Sequence, residues 1–146
     1  MSAYIDILDD VIDRCAAVRI LSAARTIGRY YDDALRAENL TITQFTLLTT
    51  IGKAKPSSIS DIGQYLSIER TTVTRNLKLL EQAGLVYRGA EGSKRMREIR
   101  LTDEGVAALK KAYPRWQSAQ AHIEAKFPEG KLDDLIEALR LVRDID

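Results

Sequence analysis

The stretch "ISDIGQYLSIERTTVTRNLKLLEQAGLV", residues 59–86, decides how the rest of the chain is read. It holds two helix patterns parted by a short break at Ser67-Ile68. In the first, Ile59, Ile62 and Leu66 recur at three- and four-residue steps, one apolar stripe on a helix. Pro56 disfavours helix just before it, and Ser58 is placed to cap it. The second pattern runs from about Arg70 to Ala83. At about 100° per residue, Val73, Leu77 and Leu80 fall on one side of the wheel and form the face to be buried. Thr71, Thr74, Arg75, Lys78 and Gln82 fall on the other. Gly84 is the expected left-handed stop, with Leu85 folding back as its apolar partner.

A helix face of short hydroxyls with one or two long basic side chains can approach a nucleic-acid groove closely and reach base edges or phosphates. Two short helices joined by a tight turn, the second bearing that face, make a helix-turn-helix. Taken alone, the face also fits an ordinary solvated helix. The segment that follows separates the readings. "LVYR" and "EIRL" are short strand candidates joined by a glycine-bearing loop, and Lys94, Arg95 and Arg97 cluster near its tip. A solvated turn has no use for such a cluster, whereas a basic extended loop beside a helix-turn-helix can reach an adjacent groove or the flanking backbone.

Charge points the same way. The chain's formal net charge is only +1, but residues 68–100 hold eight Lys/Arg against four Asp/Glu, and the other residues hold 14 against 17. Local basic density matters more to a polyanion than the total.

Outward from this centre, "LTITQFTLLTTIG" carries Thr41 and Gln44 at capping-box spacing, with Gly52 as the expected stop. Residues from about Ala3 to Ala37 read as one long helix or two abutting ones, with Ile5, Leu8, Ile12, Cys15, Val18 and Leu21 on a stripe. A stripe that long exceeds what one small core covers and implies a partner subunit. Thr102 is placed to cap a helix running through Phe127, with Pro114 expected to kink it. "KLDDLIEALRLVRDI" is a last amphipathic helix.

The 146 residues fit one domain, with 45% hydrophobic and 29% charged residues typical of a globular protein. No apolar run reaches the length of about 18 that a transmembrane helix needs. The acidic N-terminal segment lacks an apolar signal core, and the single cysteine suits a reducing compartment, so a cytoplasmic location is expected. The lone His122 and lone Cys15 give no zinc-site spacing, and no phosphate-binding loop or catalytic motif occurs. Neither an enzyme nor a cofactor or metal is expected.

The order of the pieces "LTITQFTLL", "ISDIGQYLSIERTTVTRNLKLLEQAGLV" and "REIRLTDEG" resembles the MarR family of winged helix-turn-helix transcription regulators, along nearly the whole chain. The resemblance implies a mainly α fold with a small β-hairpin wing: a winged helix-turn-helix plus a helical dimerisation region formed by the N- and C-terminal helices. It implies one domain over residues 1–146, with the winged lobe at 41–105 and dimerisation helices at 1–40 and 106–146. The implied activity is sequence-specific binding to a near-palindromic double-stranded DNA operator by a homodimer, mostly as a repressor released by a small-molecule effector or an oxidant. The implied DNA-binding residues are Arg70, Thr71, Thr72, Thr74, Arg75 and Lys78 on the recognition helix, and Lys94, Arg95 and Arg97 on the wing. Arg95 matches the arginine that commonly enters the minor groove in the family. Two residues earlier the family usually has an aspartate that orients the wing; Ser93 stands there in this chain, so a less rigid wing is expected.

Three further residues carry open alternatives. Cys15 is either a small apolar member of the first stripe or a redox-sensing thiol, with Arg14 and Arg19 near enough in sequence to favour thiolate. Tyr113 and Trp116 flank Pro114 and either pack in the core or line a ligand pocket. The runner-up function keeps the fold without DNA: a protein-binding winged-helix adaptor or antirepressor, whose recognition face would be apolar or acidic.

Overall fold

The computed structural model describes residues 2–89 and 98–145. Among these residues, seven α-helices and two antiparallel strands follow in the order α1 (Ser2–Arg14), α2 (Ala16–Leu35), a 3-10 turn (Arg36–Glu38), α3 (Ile42–Ala54), α4 (Ile59–Leu66), α5 (Arg70–Gln82), β1 (Val86–Arg88), β2 (Ile99–Leu101), α6 (Asp103–Glu124) and α7 (Lys131–Arg143).

The long N-terminal pattern is thus two abutting helices. The break falls at Cys15, with neither proline nor glycine to cause it. Cys15 takes an extended ψ of 110°, and the Arg19 guanidinium lies across the break, its Nη2 donating to the Ile12 carbonyl at 3.2 Å. A side chain inserted into the helical ladder is a recognised cause of a kink.

Local signals set most other boundaries. Thr41 Oγ1 accepts from Gln44 N at 3.2 Å and Thr41 N donates to Gln44 Oε1 at 3.1 Å, the reciprocal capping box. Ser58 caps α4 by accepting from Asp61 N at 3.0 Å. At the end of α5, Leu85 N donates to Leu80 O and Gly84 N to Glu81 O, each at 2.9 Å, and Gly84 has φ of +72°, a Schellman stop.

Two expected boundaries move. Gly52 does not end α3, which continues to Ala54 and stops at the left-handed Lys55. Gly52 answers to packing instead: a Cβ there would lie 3.0 Å from the Leu101 side chain on β2. The helix α6 ends at Glu124 rather than Phe127, because Lys126 N and Phe127 N turn back to Ile123 O and Glu124 O ahead of Pro128. It runs unbroken through Pro114.

The core lies in the lobe built by α3, α4, α5, the hairpin and the start of α6. Leu47, Leu48, Ile51, Ile62, Val73, Leu77 and Ile99 are almost wholly buried there, joined by Leu35 from α2 and Ala112 from α6. By contrast, α1, most of α2 and α7 leave large apolar side chains in the open, among them Ile5, Leu8, Ile12, Val18, Leu21, Ile136, Leu139 and Val142. No helix among the described residues is long and apolar enough to cross a membrane.

Candidate nucleic-acid interface

The apolar side chains that anchor α5 to α4 are buried behind it. Ile62 of α4 and Val73 and Leu77 of α5 are fully covered, so the two helices share one face. The turn between them closes tightly: Ser67 is left-handed with φ of +53°, Ile68 N donates to Gly63 O at 3.0 Å, and a Cβ on Gly63 would sit 3.0 Å from the Ile68 carbonyl.

The outward face carries the residues the sequence placed there. Arg70, Thr71, Thr74, Arg75, Lys78 and Gln82 are exposed and Thr72 is half-buried. Thr74 Oγ1 donates to Arg70 O at 2.9 Å. Asn76 Nδ2 donates to Thr72 O at 2.9 Å. Among the described residues, no carboxylate lies within ion-pair distance of Arg70, Arg75 or Lys78. The basic residues of the strands differ. Arg88 grips Glu81 through a fork, Nε to Oε1 at 2.5 Å and Nη2 to Oε2 at 3.0 Å, and the Glu81 hydrogen bond raises its pKa further. Arg100 pairs with Glu98 at 2.7 Å. Among the described residues of this segment, the basic side chains without a carboxylate partner are therefore those of α5. Lys94, Arg95 and Arg97, with Ser93, lie outside the described residues.

Sequence reading missed two features of this region. Leu79 is half-exposed beside the basic face; its wheel position, between the buried and exposed arcs, was the available signal. The Glu81–Arg88 fork joins the C-terminal half of α5 to the first strand across the Gly84 stop, and its seven-residue separation has no periodic signature. The strand that follows is tied in as well. Thr102 Oγ1 donates to Gly84 O at 2.6 Å and accepts from Gly105 N at 3.0 Å. Gly105 itself is obligatory, since a Cβ there would fall 2.0 Å from the Leu85 carbonyl oxygen.

A second site lies between α3 and α6. Phe45, Thr49, Leu109, Lys110, Tyr113 and Trp116 line a recess of about 380 Å³. Trp116 stacks on Phe45 at 6.3 Å and on Tyr113 at 5.9 Å between ring centroids, with interplanar angles of 18° and 13°. Trp116 packs against the core, whereas Tyr113 stays half-exposed at the edge of the recess. On a neighbouring face of α6, the nearly buried Glu38 side chain receives Lys111 at 3.2 Å and Arg115 at 3.5 Å.

Cys15 is a partly exposed free thiol at the α1–α2 break. The arginines near it in sequence are engaged elsewhere, Arg14 with Asp10 at 2.7 Å and Arg19 with the Ile12 carbonyl. Tyr30 and Tyr31 lie at the α2–α6 contact, where Tyr30 stacks on His122 at 5.5 Å and Tyr31 hydrogen-bonds Gln120.

The sequence model of the MarR family matches residues 38–96. The transcriptional regulator MosR of M. tuberculosis superposes on 92% of this chain and 98% of its own, with a TM-score of 0.79 and 35% identity. The chain belongs to the MarR family. MosR in complex with DNA aligns over 90% of this chain and 97% of its own, at 36% identity and a TM-score of 0.76. Among MarR-like relatives, the HTH-type transcriptional regulator YwoH of Bacillus subtilis is 31% identical over 93 residues, 64% of this chain and 68% of that protein. The homoprotocatechuate degradative operon repressor of Escherichia coli is 27% identical over 123 residues, 84% and 83% of the two chains. The chain is thus a winged helix-turn-helix transcription regulator, from a family of regulators rather than enzymes.

Proposed function

We propose that this protein is a homodimeric repressor that binds a near-palindromic DNA operator through α5 and the wing, and releases it when a small planar effector occupies the α3–α6 recess. The observation that carries the reading is the outward face of α5, where Arg70, Arg75 and Lys78 stand exposed among hydroxyl side chains and, among the described residues, without carboxylate partners, on a helix anchored by Val73, Leu77 and Leu80. Arg75 lies mid-face, where its fork of donors can meet a guanine edge. Thr71, Thr72 and Thr74 are short enough to let the helix settle into the groove. Arg70 and Lys78 flank them and serve phosphates. Lys94, Arg95 and Arg97 extend the contact from the wing.

The MosR–DNA complex and the E. coli operon repressor support DNA binding and repression as the common mode of such chains. The exposed apolar faces of α1, α2 and α7 support a dimer, because patches this extensive mark interaction surfaces. Two lobes related by a twofold axis read half-sites about 10 bp, or roughly 34 Å, apart. DNA as target supports a cytoplasmic location.

The recess supports the effector. Its volume lies in the range of small-molecule sites, its walls are aromatic planes, and Lys110 supplies one cation. A planar aromatic carboxylate matches that lining. Oxidant sensing through Cys15 has less support, since the nearby arginines are engaged with Asp10 and the Ile12 carbonyl. An electrophoretic shift on random genomic fragments at low and moderate salt tests the reading. Retardation that weakens steeply with salt is expected; a protein-binding adaptor shifts nothing at either salt.

A further inference from the structure

The last turn of α7 reaches back to the helix-turn-helix. Arg143 Nη2 donates to the carbonyls of Tyr65 at 3.2 Å and Gln64 at 3.4 Å, across 78 and 79 residues of sequence. These carbonyls belong to the last turn of α4, the end of a helix that leaves backbone acceptors unpaired and carries a partial negative charge. The chain's own cap serves the earlier ones: Ser67 N donates to Gln64 O at 3.3 Å and Ile68 N to Gly63 O at 3.0 Å. The Tyr65 carbonyl is left to Arg143. Among the described residues, no other side chain of α7 hydrogen-bonds to the lobe.

We propose that Arg143 is a positioning residue that couples the C-terminal helix to the recognition helix and so sets the spacing of the two recognition helices in the dimer. This rests on the dimeric, operator-binding reading given above. The bonded carbonyls lie immediately before the turn that launches α5 at Arg70. That turn is stiff: Gly63 and Ile68 are in close contact, and Ile62, Val73 and Leu77 lock α4 to α5 in the core. A displacement of α7 therefore moves Arg75 and Lys78 as part of a rigid unit instead of being absorbed in a loop. Along its length, α7 also exposes Leu135, Ile136, Leu139 and Val142, the apolar surface a second copy of the chain covers. One helix thus touches both the dimer partner and the turn of the DNA-reading motif. Its Arg143 makes the second contact with charge-assisted bonds that an uncharged residue cannot reproduce.

The test is binding to an operator series in which the half-sites are held at their native separation or moved by one base pair in either direction. The proteins are the wild type, Arg143→Ala, Arg143→Gln and Arg143→Lys. Sedimentation gives the oligomeric state and a random duplex gives the non-specific affinity. The expected result is that wild type loses affinity sharply on both shifted operators. Arg143→Ala and Arg143→Gln remain dimers with unchanged random-duplex binding, but their penalty for shifted spacing falls by about fivefold or more, a typical coupling between sites. Arg143→Lys restores part of the penalty. Equal spacing penalties in wild type and Arg143→Ala overturn the inference, as does dissociation of Arg143→Ala and Arg143→Gln into monomers, which makes Arg143 a dimer-stabilising residue. If wild type itself is indifferent to spacing or bound as a monomer, the dimeric-operator reading fails first and takes this inference with it.

Discussion

Replacing Arg75 with alanine separates base reading from general attraction to DNA. Arg75 is exposed on α5, and no carboxylate among the described residues pairs with it. The substitution leaves Val73, Leu77 and Leu80 in place and introduces the best helix former, so stability should change by no more than about 0.5 kcal/mol. What is lost on the operator is a two-pronged contact to a base edge, about 1–3 kcal/mol. At 1.4 kcal/mol per decade that is roughly 5- to 150-fold in Kd. On a random duplex the same residue offers only one of several positive charges, so the loss there should be several-fold smaller, with a salt slope lowered by at most about one unit. Fluorescence anisotropy titrations of both duplexes across a salt series give all of these quantities, and a thermal melt checks the fold. Equal weakening on operator and random DNA would refute the assignment and reduce the basic face to an electrostatic patch.

Three other outcomes test the rest of the account. Gly105→Ala should destabilise the lobe by about 3 kcal/mol in denaturant unfolding, because its Cβ has to displace the Leu85 backbone; a variant as stable as wild type contradicts the close approach of α6 to the wing root. Tyr113→Ala, at a half-exposed ring stacked on Trp116, should leave operator affinity intact while raising about tenfold the concentration of benzoate-type acids that releases DNA, the scale of one aromatic contact; unchanged release removes the recess from the mechanism. The Tyr31 phenol is held above its ordinary pKa of 10.0 by burial first, then by Glu124 and Tyr30, so the fold favours the protonated form. Its contribution is present below about pH 10 and is lost as pH rises through the raised folded value; the melting temperature of wild type should therefore fall more steeply above about pH 10 than that of Tyr31→Phe, and parallel curves argue against it.

Signals confined to a few neighbouring residues were legible in the sequence. The Thr41–Gln44 box, the Ser58 cap, the Gly84 stop and the division of α5 into buried and exposed faces each depend on a repeat of three or four residues or on one special backbone position. The break at Cys15 was not legible, because it is stabilised by a side-chain bond from Arg19 to a carbonyl seven residues away. Gly52 was read as a terminator because glycine ends helices, but the approach of Leu101 decides its identity, and that contact joins residues far apart in the sequence. The candidate site divides in the same way. The cations of α5 were visible, whereas the loss of Arg88 to Glu81, the seating of Glu38 between Lys111 and Arg115, and the reach of Arg143 to Tyr65 all needed the folded chain.

The central claim is that two copies of this chain read one inverted repeat through paired α5 helices. The most direct measurement is to recover bound fragments from genomic DNA with the purified protein, sequence them, and footprint the recovered site with hydroxyl radicals. The account predicts a shared inverted repeat with two protected major-groove faces about one helical turn apart, bound by one dimer. Recovery of unrelated fragments without a common motif, or protection of a single asymmetric half-site by one dimer, would contradict it.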